Sequence, residues 1–191
     1  MDGTRDAPSR FEVPTLYTER LILRRLELSD APAIQMHFAH WEIVKLLNVR
    51  VPWPYPEDGA LAFLQNVVLP AMQAGKQWHW SLRLREAPEQ LIGTVSLMDG
   101  ESDNRGFWLG LPWQGQGLMR EASDAVTAYW FDVLERPLMQ VPKAAGNAAS
   151  RKISQRQGMR LVAEQMGDYV SGRLMSEVWE ITREEWLARR R

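Results

Sequence analysis

The chain has 191 residues, 45% hydrophobic and 25% charged, with a formal net charge of −1, the proportions of a globular protein long enough for one proper core. That charge gives no electrostatic argument for nucleic acid or an anionic membrane as a partner, and no apolar run approaches the ~20 residues of a membrane span. Cysteine is absent and there are three histidines, which excludes disulfides, thiolate metal sites and acyl-cysteine intermediates and argues against a histidine-rich metal centre.

Residues 1–14 are polar and contain proline; they read as a flexible lead-in without a signal-peptide pattern, ahead of a single domain over 15–191, and the expected location is cytoplasmic. Leu16 to Glu27 alternates and predicts a strand. Ser29-Asp-Ala-Pro32 starts a helix running to about Ala39, and an irregular piece follows through Trp41 and Leu46. Val51-Pro-Trp-Pro-Tyr-Pro56 excludes regular structure; a helix follows from Glu57 to about Ala74, with Gly75 as its stop. Trp78–Leu84 and Leu91–Met98 predict two strands joined by a turn at Ala87-Pro88-Glu89.

The central stretch is Gly106-Phe-Trp-Leu-Gly-Leu-Pro-Trp-Gln-Gly-Gln-Gly-Leu-Met-Arg-Glu-Ala122. It opens as a strand and closes as an amphipathic helix running to about Leu134. Between them Gln114-Gly115-Gln116-Gly117 occupies a helix N-terminus, where unpaired N–H groups and the dipole suit a phosphate or pyrophosphate. A tight connection with glycines kept for packing is the competing reading. No lysine follows Gly117, and Arg120 stands where a dinucleotide fingerprint needs its third glycine, so neither common phosphate loop applies. Leu138–Val141 then predicts a short strand interrupted by Pro142. Asn147 caps a helix from Ala148 to Gln157, which Gly158 ends. Leu161–Met166 and Glu177–Ile181 predict a final antiparallel pair joined around Gly167-Asp168-Tyr169 and Gly172. Thr182 caps a terminal helix whose Arg189-Arg190-Arg191 tail complements the helix dipole. The order predicts one mixed α/β (α+β) layer fold.

Three motifs in this order, Gly106 to Ala122, Asn147-Ala-Ala-Ser150 with Gly158-Met159, and Val51 to Asp58, resemble those of the GCN5-related N-acetyltransferases (GNAT). The likeness spans Leu16 to Trp186 and is greatest to the branch acetylating ribosomal-protein N-termini. It implies a central, mostly antiparallel sheet with a splayed parallel pair, Phe107–Leu111 and Leu138–Val141, flanked by helices. It also implies acetyl-coenzyme A in the splay. The backbone near Leu109 and Leu111 would meet the pantetheine arm. The N–H groups of Gln114, Gly115, Gln116, Gly117, Leu118 and Met119 would hold the pyrophosphate; Asn147 would touch the arm and Ser150 would sit near the sulfur. Four positions depart from the pattern: Pro112 at the loop's opening, Met159 for an aromatic, Ser154 where many members place a tyrosine acid, and Asn104 where many carry a glutamate base.

Direct transfer from a thioester to an amine needs a group to take the amine's proton and another to protonate the thiolate. A lysine amine, with a reference pKa of about 10.4, is about 0.1% neutral at neutral pH, whereas an α-amine near ~7.8 is tens of per cent neutral. A chain without the familiar glutamate therefore suits an α-amine or another weakly basic amine. By the resemblance Ser150 is the first candidate acid and Ser154 the second; Ser150 serving only its own helix turn is the competing reading. Asp168 is the first candidate base, with Asp103, Glu101 and Glu164 as rivals. Trp41, Trp53, Tyr55, Trp78 and Trp80 are expected to line or underlie the acceptor cleft, and His79 to be structural. The predicted activity is acetyl transfer to a primary amine, a protein N-terminus or a small molecule, by a monomer or homodimer. A small-molecule acetyltransferase of the antibiotic-inactivating type, or an acyl-coenzyme A sensor without turnover, are the alternatives.

Overall fold

The computed structural model describes residues 12–189. Most of the expected lead-in and the last two arginines of the tail therefore lie outside the described residues. Where the lead-in is described it is fastened rather than loose: Val13 is buried in the core, and the Pro14 carbonyl accepts from Trp80 Nε1 at 2.7 Å.

Two antiparallel sheets carry the fold. The first has the order β1 (Leu16–Tyr17), β2 (Leu21–Arg25), β3 (Gln77–Leu84), β4 (Ala87–Met98), β5 (Arg105–Leu109). The second has the order β6 (Leu138–Ala144), β8 (Gly172–Thr182), β7 (Arg160–Tyr169). The inner strands of the first sheet supply Leu21, Leu23, Trp78, Trp80, Leu82, Val95 and Leu97 to the core. Helices α1 (Ala31–Phe38) and α2 (Trp41–Val44) follow β2. Next, α3 (Gly59–Phe63) runs through a π turn (Leu64–Val68) into α4 (Leu69–Gln73). The expected helix over 57–74 is thus present with a local widening. Pro70 lies just past that turn, and its missing N–H cannot complete a regular α ladder there. Helix α5 (Leu118–Ala128) ends in a second π turn (Tyr129–Val133), α6 (Ala148–Arg156) follows β6, and α7 (Arg183–Ala188) follows β8.

Several boundaries move. The single strand expected over Leu16–Glu27 is a hairpin, because Thr18-Glu19-Arg20 is folded into a turn by the Glu121 carboxylate of α5. That carboxylate accepts from Thr18 Oγ1 at 2.5 Å and from the Arg20 backbone at 2.7 Å. The β3–β4 turn is Arg85-Glu86, and Ala87-Pro88-Glu89 already belongs to β4. Gly167, Asp168 and Tyr169 belong to β7; the reversal is Val170-Ser171, closed by Gly172 at φ +115°. A glycine at such an angle lets two long strands turn tightly.

The two sheets meet at one seam. The Asn104 N–H donates to the Gln140 carbonyl at 2.7 Å, and the Gln140 N–H donates to Asn104 Oδ1 at 2.8 Å. Beyond it β5 and β6, joined by the α5 crossover, belong to separate ladders and leave a gap between their edges. Strand β6 does not stop at Val141 but runs through Pro142, which pairs with Val178 of β8. Gln140 turns its backbone groups toward β5, so Pro142, two residues on, turns its ring nitrogen the same way, into the gap where no donor is required.

Candidate active site

At the wide end of the gap, β5 ends at Leu109 and a 3-10 turn (Leu111–Trp113) leads to the glycine loop. Gly115 and Gly117 have φ of +77° and +78°, and Gly117 caps α5. A Cβ on Gly115 would meet nothing within 4 Å, and one on Gly117 only Arg20, at 3.6 Å. The glycines are thus required by the left-handed backbone rather than by packing, and they border open space. Among the described residues the N–H groups of Gly115, Gln116 and Gly117 take no backbone partner, and those opening α5 are unpaired by helix geometry. Buried Leu118 and Met119 root the helix while the loop stays exposed. A cluster of unpaired amides at a helix N-terminus fits a diphosphate.

Arg20 braces this loop, donating from Nη1 to the Gln116 carbonyl at 3.0 Å and from Nε to Glu121 Oε2 at 2.8 Å. Burial works to raise the Glu121 carboxyl, but hydrogen bonds from Thr18 and Arg20 outweigh it and hold the group below the usual carboxylate range. Sequence reading missed this brace. Its partners lie about a hundred positions apart and carry no local pattern. Pockets of about 480 and 530 Å³ flank α5, sharing Arg120 and Asp124, and neither is lined by β5 or β6.

Two expected backbone contacts change. Leu111 lies in the 3-10 turn, not on the strand, and its carbonyl accepts from the Gln114 N–H at 3.3 Å. The Leu109 carbonyl accepts from Gln114 Nε2 at 2.8 Å, so the strand edge offers a ligand the remaining lone pair of that oxygen. On the other wall Asn147 caps α6 as expected, Oδ1 accepting from the Ser150 N–H at 3.1 Å, which leaves its amide NH₂ to a ligand. Ser150 is buried, and its hydroxyl makes no hydrogen bond to the described residues. Ser154, one turn further on, is fully buried and accepts from Lys143 Nζ at 2.5 Å.

Lys143 went unnoticed in the sequence, where it is one lysine after a proline. In β6 it is 6% exposed, beneath α6. Burial chiefly, with Arg105 adding to it, pulls its ammonium down to about 7 against the opposing pull of Glu177 and Asp103. Glu177 is itself taken by Arg151 Nε at 2.9 Å and Trp179 Nε1 at 2.8 Å.

The carboxylates separate clearly. Asp168 is exposed on β7, opposite Arg173, and not in a loop over the gap. Glu101 and Glu164 are exposed too. Asp103 differs: it adjoins the seam, holds φ +59°, and burial raises its carboxyl above the ordinary value while Arg50 and Lys143 oppose. Its neighbour Asn104 is 3% exposed and fully engaged, Nδ2 donating to the Met98 and Gly100 carbonyls at 3.2 and 2.8 Å.

The aromatics also divide. Trp78 and Trp80 are core residues at 1% and 0% exposure, so Trp80 is no cleft wall. Trp41 and Trp53 are about 40% exposed and pack together at 5.5 Å; Tyr55 packs edge-on against Phe38. The segment after α2 bonds to the β7–β8 turn, Val49 N–H to the Asp168 carbonyl at 3.1 Å and Val170 N–H to the Leu47 carbonyl at 3.0 Å. It brings Arg50 into electrostatic range of Asp103. Buried His79, bonded to Gln77 Oε1 at 2.7 Å and lowered by burial to about 4, is structural. Among the described residues no group of histidine and carboxylates is arranged to hold a metal, and no helix is long and apolar enough to cross a membrane.

A curated N-acetyltransferase, p20 of Bacillus licheniformis, is 27% identical over 143 residues, covering 73% of this chain and 78% of the relative. Mycobacterium smegmatis RimJ in complex with a coenzyme A disulfide superposes with a TM-score of 0.79 at 14% identity, covering 92% of this chain and 90% of RimJ. The ribosomal-protein-S5-alanine acetyltransferase of Vibrio fischeri gives 0.75 at 17% identity, over 91% and 98% of the two chains. At these identities the two structures speak for the fold. Residues 20–160 match the family described as an acetyltransferase (GNAT) domain, so the chain belongs to that family and is an acetyltransferase whose acyl donor is acetyl-coenzyme A.

Proposed function

We propose that this enzyme transfers an acetyl group directly to a primary amine, by preference the α-amine of a protein N-terminus, in the cytoplasm. The observation that carries the reading is Asp103, a half-buried carboxylate at the closed end of the gap, with Arg50 and Lys143 as its charged neighbours. A weakly basic α-amine needs only one modest base. A polycationic drug would meet two cations there and no acidic cluster. The exposed Trp41–Trp53 pair offers apolar surface to the first residues of a peptide.

Bound acetyl-coenzyme A supplies a thioester carbonyl for the amine. The unpaired amides from Gly115 to Met119 hold its diphosphate, the Leu109 edge and the Asn147 amide align the arm, and Ser150 lies at the leaving-group end, while Ser154 is sealed beneath α6. Asp103 takes the amine's proton in place of the glutamate that Asn104 displaces. Asn104 is a seam residue, so its identity does not argue for a domain that binds without turnover.

Thiol release from acetyl-coenzyme A should be compared across N-terminal peptides, lysine-bearing N-acetylated peptides and aminoglycoside-type amines. Release with free N-terminal peptides is expected to exceed the others at least tenfold. Faster release with the polyamines would replace the peptide reading by the drug reading, and tight binding without release would leave the sensor.

A further inference from the structure

The peptide unit between Gln116 and Gly117 carries two groups of opposite sign on one plane. It is trans, so the Gln116 carbonyl and the Gly117 N–H point in opposite directions. Swinging the plane by half a turn exchanges the two groups and takes the following φ from positive to negative, and a glycine accepts both states. Open space around Gly115 and Gly117 does nothing to prevent the swing. The loop's own side chains pin it further upstream: Gln114 Nε2 donates to the Leu109 carbonyl at 2.8 Å and Gln116 Nε2 to the Pro112 carbonyl at 3.0 Å. Among the described residues one hydrogen bond holds the plane itself, from Arg20 Nη1 to the Gln116 carbonyl at 3.0 Å. Arg20 is in turn seated by the Glu121 carboxylate, which accepts from Nε at 2.8 Å and from the backbone N–H at 2.7 Å. With the carbonyl drawn to Arg20, the Gly117 N–H is turned away from it. Swung over, the plane would present a partially negative oxygen where that N–H now stands.

We propose that Arg20 is a positioning residue for the coenzyme A diphosphate: it latches the Gln116–Gly117 peptide with its N–H toward the ligand, and Glu121 holds the latch. This rests on the diphosphate placement proposed above. Stability does not account for the arrangement, since the Arg20 side chain is 43% exposed and an exposed ion pair contributes little. Simple attraction of an anion does not account for it either. Glu121 stands in the first turn of α5, where its charge opposes a second anion, and Arg20 cancels that charge without exceeding it. What the pair adds is direction. An amide aimed before the ligand arrives needs no reordering on binding.

The test is calorimetry of the full chain with coenzyme A and with pantetheine, which shares the thiol arm and lacks the diphosphate. Glu121→Gln is the deciding variant. It keeps one oxygen for the Thr18 hydroxyl and the Arg20 backbone, and sets an NH₂ where Arg20 Nε needs an acceptor. The latch predicts coenzyme A binding about tenfold weaker in Glu121→Gln and in Arg20→Ala, the worth of about one hydrogen bond, with pantetheine binding within about twofold of wild type. Charge alone predicts the opposite sign for Glu121→Gln, tighter binding, because a carboxylate beside the anion has gone. Tighter or unchanged binding in that variant overturns the proposal. A crystal structure of ligand-free Arg20→Ala should show the Gln116–Gly117 peptide reversed or split between two orientations, and a single wild-type orientation overturns it as well. Should Arg20→Ala fail to fold, Glu121→Gln decides the matter by itself. If wild type binds pantetheine as tightly as coenzyme A, the diphosphate placement fails and the latch falls with it. If coenzyme A binds much the tighter and both variants keep the difference, the latch alone fails.

Discussion

Single residues set the pH dependence here, and burial moves two of them in opposite directions. Asp103 must be ionised to accept a proton, and burial has raised its carboxyl. Activity should therefore fall with decreasing pH at a value above the ordinary carboxylate range. Asp103→Asn should lower kcat/KM by about 100-fold and abolish that acid limb, whereas Asp168→Asn on the exposed face of β7 should stay within twofold of wild type. Lys143 bears on stability. Its ammonium is lowered from 10.5 to about 7, so between those values the unfolded chain holds a proton that the native one lacks. Wild-type stability should thus rise with pH across that window and stay flat below it, relative to Lys143→Met. Denaturant unfolding of both proteins at pH 7 and 9.5 should show wild type gaining on the order of 2–3 kcal/mol on the variant. Asp103 was in view in the sequence only as a rival to Asp168. What separates them is enclosure by Arg50 and the seam, a tertiary property.

At the scale of elements, the strand–glycine–helix unit and the α6 cap were readable because their signals are local: left-handed glycines, an asparagine cap, a helical apolar stripe. Gly117→Val tests the first. A β-branched residue at φ +78° costs roughly 1–2 kcal/mol in strain, and its branch projects into the open space beside the loop amides. Affinity for coenzyme A should drop at least tenfold by calorimetry while the circular dichroism spectrum is kept. The hairpin at Thr18–Arg20, the full lengths of β7 and β8, and the extension of β6 past Pro142 were not readable. Each depends on a partner distant in sequence: Glu121 for the first, cross-strand pairing for the second, the unpaired edge of the gap for the third. Asn104 belongs here too. Asn104→Ala would strand the Gln140 N–H and remove a donor from the Met98 and Gly100 carbonyls, costing about 1–3 kcal/mol. Such a loss should appear as a lower denaturant midpoint.

For the whole molecule, the order of elements was legible in outline, since alternating strands and helices of ordinary length leave few layer arrangements. The division into two sheets fastened at one seam was not, because nothing in the residues of β5 or β6 says where their pairing stops. Acetyl-coenzyme A placed between the sheets would tie them together at a second point. Saturating coenzyme A at about 100 times Kd should stabilise the native state by about 2.7 kcal/mol, read as a rise in Tm. The rise should be reduced in Gly117→Val at the same ligand concentration.

The parted edges of β5 and β6 carry a liability of their own. Each is a sheet rim with hydrogen-bonding groups to offer, and such rims invite another chain to add itself. Acetyl-coenzyme A seated between them, as proposed, would fill the rims and shield them. Copies without the ligand would stand with bare rims, and those copies are the ones expected to clump on mild heating. Light scattering during a slow temperature ramp, with and without coenzyme A, should register an earlier onset in the bare protein.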